Sequence, residues 1–479
     1  MKKWLFAAGC LWAGMAGYAQ QPVSQPTNLS FYNLKPYGFN LAFTPSSANG
    51  YLVVRSVSPV TFTPQDGVTY EKGQGVAPGV KVFAVSGSSS ASVKEVLAGT
   101  TYYFAVFAYN GAGNSIDYLN TSPLTGTVTV PAGGPGNYYA SVDNASPAIL
   151  ADLKQRINTG RVFQSYTPGY INNLMNNFYL RDTVGGKLVS VCQYTGEVYI
   201  TDPPYTWWGT QGNPGQFTRE HSLPKSWMLT GGNTNNQDGA DYHNLFPVNQ
   251  EKANAKRSNY PYGIVQNVTF QYMGSKFGTN SQGITVYEPR DANKGDCARA
   301  QFYMMTCYNG NGGTWGYQTM PTYAQQENQD LLKIWNLQDP PDAFERTRHE
   351  YIYSIQNNRN PFIDYPELAD CINFNNMTLY ANCAITLGVD DHVAASGRVS
   401  LYPNPVTAGQ GMTVTYEGPG GMRGVTVTDM GGRRVYGSGP VNDNVSLTLP
   451  TEGWVDGIYF IGVLLSDGSV STHKMIINH

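Results

Sequence analysis

The apolar residues of this chain change period twice along its length, and that change limits what it can fold into. From Pro26 to about Pro131, apolar and polar residues alternate in short runs such as Gly50-Tyr51-Leu52-Val53-Val54-Arg55 and Thr101-Tyr102-Tyr103-Phe104-Ala105-Val106-Phe107-Ala108-Tyr109-Asn110, broken by clusters of Gly, Ser and Pro. A period of two belongs to a strand with one buried face, so this stretch reads as a small antiparallel β-sandwich. After a linker at Ala132-Gly133-Gly134-Pro135-Gly136, Ile149, Leu150, Leu153 and Ile157 fall at helical spacing, with Ser146-Pro147 as cap and first turn and Gly160 as the stop. Further helices are expected near 171–179, 296–308, 323–335 and 344–356, and a strand at Glu197-Val198-Tyr199-Ile200. The middle of the chain therefore reads as mixed α+β. From about Ser396 short alternating strands return, as in Val425-Thr426-Val427-Thr428-Asp429 and Gly457-Ile458-Tyr459-Phe460-Ile461-Gly462-Val463. A multidomain chain with three cores follows, since 479 residues exceed what one core organises.

Charged residues make up only 13% of the chain, against about 25% in an average protein, while hydrophobic residues reach 41%. That balance describes a folded, β-rich extracellular surface and excludes disorder. Met1-Lys2-Lys3, the apolar stretch from Trp4 to Met15 and the small residues around Gly17-Tyr18-Ala19 read as a signal peptide over residues 1–19. Ala7-Ala8-Gly9-Cys10 offers a rival lipoprotein box, with a very short apolar run before Cys10. Nothing downstream approaches about 20 consecutive apolar residues, so no membrane span is expected. Without Cys10, Cys192, Cys297, Cys307, Cys371 and Cys383 remain, an odd set that leaves at least one thiol unpaired. Cys371 with Cys383 is the expected bridge; burial of all five as small hydrophobes is the alternative. No Cys-x-x-Cys occurs, which argues against a zinc ribbon.

The flanking modules carry resemblances of their own. Leu97-Ala98-Gly99-Thr100, leading into the Tyr-rich strand, resembles the penultimate strand of a fibronectin type III domain, although the early Trp of that family is missing. That implies a binding or spacing role. Leu401-Tyr402-Pro403-Asn404-Pro405, Gly457-Ile458-Tyr459 and the terminal Lys474-Met475-Ile476-Ile477 resemble the C-terminal sorting domain of type IX secretion substrates. The resemblance implies export by the type IX secretion machinery, then release or attachment at the cell surface. The expected modules are residues 22–131, 138–390 and 396–479.

Chemistry is expected in the middle module. Of six histidines, His349, His392, His473 and His479 lack a surrounding set of acid, amide and Arg side chains, which leaves His221 and His243. His221 follows Glu220 directly. On a strand, neighbours point to opposite faces, so the two share a site only at a bend, and Pro224 supplies one. Asp241-Tyr242-His243-Asn244-Leu245-Phe246-Pro247 reads as a second polar cluster on a strand, and 250–257 as a helix offering Asn254 and Arg257 on nearly one face. Phosphodiester hydrolysis needs a base, a divalent cation on the phosphate oxygens and neutralisation of the leaving oxyanion. His, carboxylate with amide, and Arg suit those tasks, and the ligand types suit a hard cation such as Mg2+.

At this point Glu220-His221-Ser222-Leu223-Pro224, the Asp241-to-Pro247 block and Glu251-Lys252-Ala253-Asn254-Ala255-Lys256-Arg257-Ser258-Asn259 resemble the endonuclease I family of secreted and periplasmic nucleases. Lys294-Gly295-Asp296-Cys297-Ala298-Arg299-Ala300 and Gln356-Asn357-Asn358-Arg359-Asn360-Pro361-Phe362-Ile363-Asp364-Tyr365-Pro366 extend the match. The resemblance implies a ββα-metal fold cutting DNA and RNA with little sequence preference. It implies His221 as general base, Glu220 and Asn254 holding hydrated Mg2+ (or Mn2+ or Ca2+), and Asp241, His243 and Asn259 as supporting hydrogen-bonding groups. Relatives can place a phosphate-stabilising Arg between the first two blocks. Here none follows Arg219 in that loop, so Arg257 and Arg299 are the candidates. His349 stands where relatives often carry Asn and is expected to be structural.

Between Arg219 and Arg257, five basic residues (Arg219, Lys225, Lys252, Lys256, Arg257) meet four acidic ones (Glu220, Asp238, Asp241, Glu251), so there is no basic stripe. Phosphate affinity scales with neutralised contacts, and modest, salt-sensitive binding of nucleic acid by a monomer is expected. Trp207-Trp208 could stack on bases or sit in the core. Two rival functions stand beside the nuclease: a surface adhesin with an inactive nuclease-like module, and a phosphodiesterase for small nucleotides.

Overall fold

The computed structural model describes residues 19–143, 148–201, 217–228, 237–308, 327–380, 387, 398–407, 410–417, 421–429, 434–438, 446–465 and 470–478. The chain divides into two compact units, Met1–Ala132 with Asp182–Leu188, and Gly133–Arg181 with Val189–His479. The first is the expected sandwich. One sheet runs in the order Thr27–Lys35, Gly38–Thr44, Ser90–Val93. The other runs Gly75–Ala77, Val80–Ser86, Gly50–Ser56, Thr101–Asn110, Asp117–Tyr118, and Leu124–Thr129 also pairs with Thr101–Asn110. In Gly38–Thr44 the alternation is strict: Phe39, Leu41 and Phe43 are buried between half-exposed neighbours. In Thr101–Asn110 it disappears, because Val106 and Ala108 enter the core between the sheets while Ala105 and Phe107 enter a second cluster on the outer face. A strand covered on both faces reads as a continuous apolar run. At its start Leu97 N donates to Tyr102 Oη at 2.9 Å, a tyrosine corner that fixes the Gly99 turn (φ 73°).

The second unit holds the α+β region and a small sandwich. Its spine is the helix Lys294–Tyr308, buried on nearly every face, against which Gln329–Gln338, Ile149–Asn158 and Pro361–Asp364 pack. A helix apolar or buried all round lies at the centre of its domain. The core around it is aromatic: Tyr170, Phe178, Tyr194, Tyr262, Phe302 and Trp335 are all within it. Four expected helices are present as Tyr170–Tyr179, Lys294–Tyr308, Gln329–Gln338 and Ala343–Gln356, and the expected strand as Val198–Thr201. The first of these is wound in wide π-type turns. The Ser146-Pro147 cap lies outside the described residues, as does Trp207-Trp208; the helix behind that cap is described from Ile149. Cys192, Cys297 and Cys307 are free and buried. Cys371 is disulfide-bonded, and its expected partner Cys383 lies outside the described residues.

The C-terminal strands form a three-stranded sheet (Arg398–Tyr402, Met412–Glu417, Ser446–Leu449) and a four-stranded one (Arg434–Gly437, Met422–Asp429, Gly457–Leu465, Val470–Ile477) over a core that includes Val414, Val427, Ile461 and Met475. Among the described residues, no helix is long and apolar enough to cross a membrane.

Candidate active site

Phe217–His221 and Leu245–Asn249 form an antiparallel two-stranded ribbon, with Glu220 opposite Phe246 and His221 opposite Leu245. The chain then turns into a helix, first Gln250–Asn254 and then Ala255–Arg257. Asn249 starts it: its side-chain oxygen accepts from Glu251 N and Lys252 N, both at 2.9 Å, satisfying donors that the first turn leaves open. Beyond His221, where the ribbon would fray, Asn244 replaces a rung. Its carboxamide accepts from Leu223 N at 2.8 Å and donates to Leu223 O at 3.1 Å. This clamp fixes the strand end on which Glu220 and His221 sit.

His221 is buried, and its Nε2 lies 2.8 Å from Gly239 O. A carbonyl can only accept, so Nε2 carries the proton and donates it, and in the neutral ring Nδ1 holds a lone pair. Burial first, and the charges of Lys225 and Arg219 after it, push the imidazole down to about 3, against the Gly239 bond that favours the cation. The ring is therefore neutral at working pH. Gly239 is itself held in place: Gln237 O, two residues earlier, accepts from Arg161 Nη2 at 3.3 Å and from Tyr308 Oη at 3.1 Å.

Glu220 is also buried, and it accepts a short hydrogen bond from Asn254 Nδ2, whose Oδ1 accepts from Gln250 Nε2 at 3.1 Å. Burial pushes the Glu220 carboxyl up to about 8, although the Arg257 charge, the Asn254 bond and Lys225 work the other way. A buried carboxylate under-compensated by protein groups, beside a partly exposed amide oxygen, is the chemistry of a site for a hard cation. Among the described residues no group of three or more His, Cys, Asp or Glu could hold a metal ion.

Asp241 and His243 lie in a different environment. Asp241 accepts from Arg161 Nη2 (2.8 Å), Tyr303 Oη (2.7 Å), Tyr308 Oη (2.9 Å) and Gln356 Nε2 (3.0 Å). Burial alone would raise its carboxyl, but Arg161 and these donors hold it below the usual range. His243 donates through Nε2 to Asn358 O at 3.2 Å and packs on Tyr303 and His349. His349 lies 3.2 Å from Asp364 Oδ1 inside the core, in keeping with a structural position. Asn259 stands partly exposed after the helix end, behind Ser258 with φ 42°.

The two arginines expected to meet phosphate require correction. Arg257 is fully buried; it donates to Tyr260 O and, at 2.9 Å, to Ser222 O, and its guanidinium lies over Tyr262 at 4.0 Å. Arg299 is fully buried too, bonded through Nε to Glu345 Oε1 (2.9 Å) and through Nη1 to Asp339 O (2.7 Å). Such guanidiniums tie elements together and cannot reach a substrate. Arg257 shares nearly one helix face with Asn254, three residues away in sequence; the helix turns Asn254 toward the Glu220 strand and sends Arg257 beneath it. Sequence reading missed Tyr166, whose ring stacks on His221 at 5.5 Å and 20°. It also missed Gly239, Asn244 and Arg348, the last donating to Tyr242 O and Leu245 O at 2.6 and 2.8 Å. No local pattern marks these groups.

Residues 148–367 match the family model described as Endonuclease I, residues 24–123 that of the fibronectin type III domain, and residues 400–478 that of a secretion system C-terminal sorting domain. An extracellular ribonuclease of Bacillus amyloliquefaciens is 30% identical over 306 residues, covering 61% of this chain and 96% of that protein. An extracellular ribonuclease of Bacillus subtilis (strain 168) is 38% identical over 168 residues, 33% of this chain and 54% of the relative. An extracellular deoxyribonuclease of Aeromonas hydrophila is 32% identical over 129 residues, 27% of this chain and 51% of the relative. The chain thus spans about half the length of the last two relatives and nearly all of the first.

Proposed function

This chain belongs to the endonuclease I family, and from that premise we propose that it is a metal-dependent endonuclease in which His221 activates water and Glu220 with Asn254 holds a divalent cation, Mg2+ or another hard ion. Its secretion sorting domain puts it among secreted or cell-surface proteins. Extracellular ribonuclease and deoxyribonuclease relatives support phosphodiesters of both RNA and DNA as substrates. Within the family reading, the fibronectin-like sandwich serves binding or spacing, and the three modules span 22–131, 138–390 and 396–479.

The 2.8 Å contact of His221 Nε2 with Gly239 O, beside the Glu220–Asn254 pair, carries this reading. The contact fixes one tautomer, so Nδ1 takes the proton from the attacking water, and Gly239 O stabilises the imidazolium that results. Burial keeps His221 neutral before the reaction. A hard divalent ion, when bound, supplies Lewis-acid stabilisation of charge on the phosphate. Glu220 offers it a carboxylate that the protein interior otherwise leaves poorly compensated, and Asn254 offers its amide oxygen. Asp241, through Arg161 and Tyr308, steadies the loop that presents Gly239; His243 buttresses the same cluster, and Asn259 lines the end of the Asn254 helix. The test is turnover of plasmid DNA and total RNA by the full chain with and without chelator, beside His221→Ala. Loss in both arms is expected; full activity of His221→Ala, or of the chelated protein, overturns the reading.

A further inference from the structure

Arg257 and Arg299 are sealed in the core, so a side-chain cation that meets substrate phosphate comes from elsewhere at this site. Arg219 is two residues before His221 on the same strand, so both side chains leave the ribbon on one face. It is only partly buried, unlike Arg257 and Arg299. Its guanidinium carbon lies 3.9 Å from the centre of the Tyr166 ring. The same ring lies nearly parallel to the His221 imidazole, 5.5 Å away with 20° between planes. Tyr166 therefore touches both groups at once.

Tyr166 arrives from outside the ribbon and helix, on a loop that is anchored at several points. Gln164 Nε2 donates to Ile355 O at 2.7 Å, Gly169 N to Ser165 Oγ at 3.0 Å, and Tyr242 Oη to Ser165 O at 3.1 Å. The loop is thus fixed to the end of the helix Ala343–Gln356 and to the turn before Leu245, and its placement of the ring is built rather than accidental. A guanidinium stacked flat on an aromatic face is held in one orientation with few degrees of freedom lost.

We propose that Tyr166 is a positioning residue whose ring couples His221 to Arg219, and that Arg219 is the cation this chain presents to the substrate phosphate. The inference rests on the nuclease reading above with His221 as base. It makes the three side chains a single stacked unit: base, spacer and phosphate donor move together, and displacing the ring misplaces both.

Full-length variants Tyr166→Phe, Tyr166→Leu, Arg219→Lys, Arg219→Ala and the Tyr166→Leu/Arg219→Ala pair test this against nucleic acid, with thermal midpoints and Mg2+ affinity measured on each. Tyr166→Leu should lower kcat by about 10- to 100-fold with little change in KM, since misplacement acts on the chemical step. Tyr166→Phe keeps the flat face and should recover most of that loss. Arg219→Ala should lower kcat/KM by a similar factor, and Arg219→Lys should recover little, because a point charge neither stacks nor forks. The double variant should lose clearly less than the product of the single losses. Wild-type turnover by Tyr166→Leu, full rescue by Arg219→Lys, or strictly multiplicative losses would overturn the proposal. If Tyr166→Leu is unstable, the Arg219→Lys against Arg219→Ala contrast still decides it. An inactive His221→Ala beside a fully active Tyr166→Leu refutes this inference alone, whereas an active His221→Ala refutes the nuclease reading beneath it.

Discussion

Two acid-histidine pairs sit within a short stretch of this chain, and their surroundings differ in the way that separates chemistry from architecture. Glu220-His221 and Asp241-Tyr242-His243 are all buried. Asp241 is surrounded by four side-chain donors, one of them its ion-pair partner Arg161, and its carboxyl is held low. Glu220 has one amide and a more distant guanidinium, and burial pushes its carboxyl up to about 8. A buried charge fully paired with protein groups stabilises one arrangement and has nothing left to offer; one left poorly paired is poised for a ligand. The comparison teaches that the count of protein partners, more than residue type or burial, separates the two pairs.

That contrast can be broken by experiment. The largest effect should come from His221→Ala, which removes the base: kcat should fall about 1000-fold with an unchanged far-UV spectrum. A comparable loss from a conservative change at His243 would erase the distinction. Asp241→Asn comes next. Leaving Arg161 buried without its carboxylate should cost roughly 3 kcal/mol in urea unfolding at neutral pH, while Glu220→Gln, which replaces a carboxyl that burial keeps protonated there, should cost much less. Equal destabilisation by the two would contradict the reading.

Acidity sharpens the comparison further. The Glu220 carboxyl is raised above its ordinary 4.5, so its contribution to stability is full below 4.5 and is lost as pH rises through about 8. Metal-free protein should therefore unfold more easily on the alkaline side of about 8, and Mg2+ or Glu220→Gln should remove that loss; melting curves with chelator and with Mg2+ check it. The smallest effect concerns His243, whose ring is pushed down to about 3 by burial, against Asp241. Its contribution is full above 6.5 and fades as pH falls toward 3, so His243→Gln should flatten the acid limb of stability by about 1 kcal/mol. An unaltered slope in urea midpoints would place that proton uptake elsewhere.

The sequence by itself determined the order of modules, the strands of both sandwiches and most helices of the middle region, because alternation and helical spacing are local consequences of which face is buried. The blocks that hold Glu220, His221 and Asn254 stand close in the chain, and the ribbon and helix bring them together. Sequence reading misjudged Arg257 and Arg299. Arg257 lies on nearly one helix face with Asn254, but which side of a helix faces the core depends on what packs against it. Only the tertiary structure brought Tyr166 onto His221, Arg161 and Tyr308 onto Asp241, and the Gly239 carbonyl onto Nε2. Those contacts join segments far apart in sequence through ring faces and backbone carbonyls. Neither leaves a periodic or compositional trace, because an aromatic in a loop and a backbone oxygen have the same local appearance wherever the fold sends them.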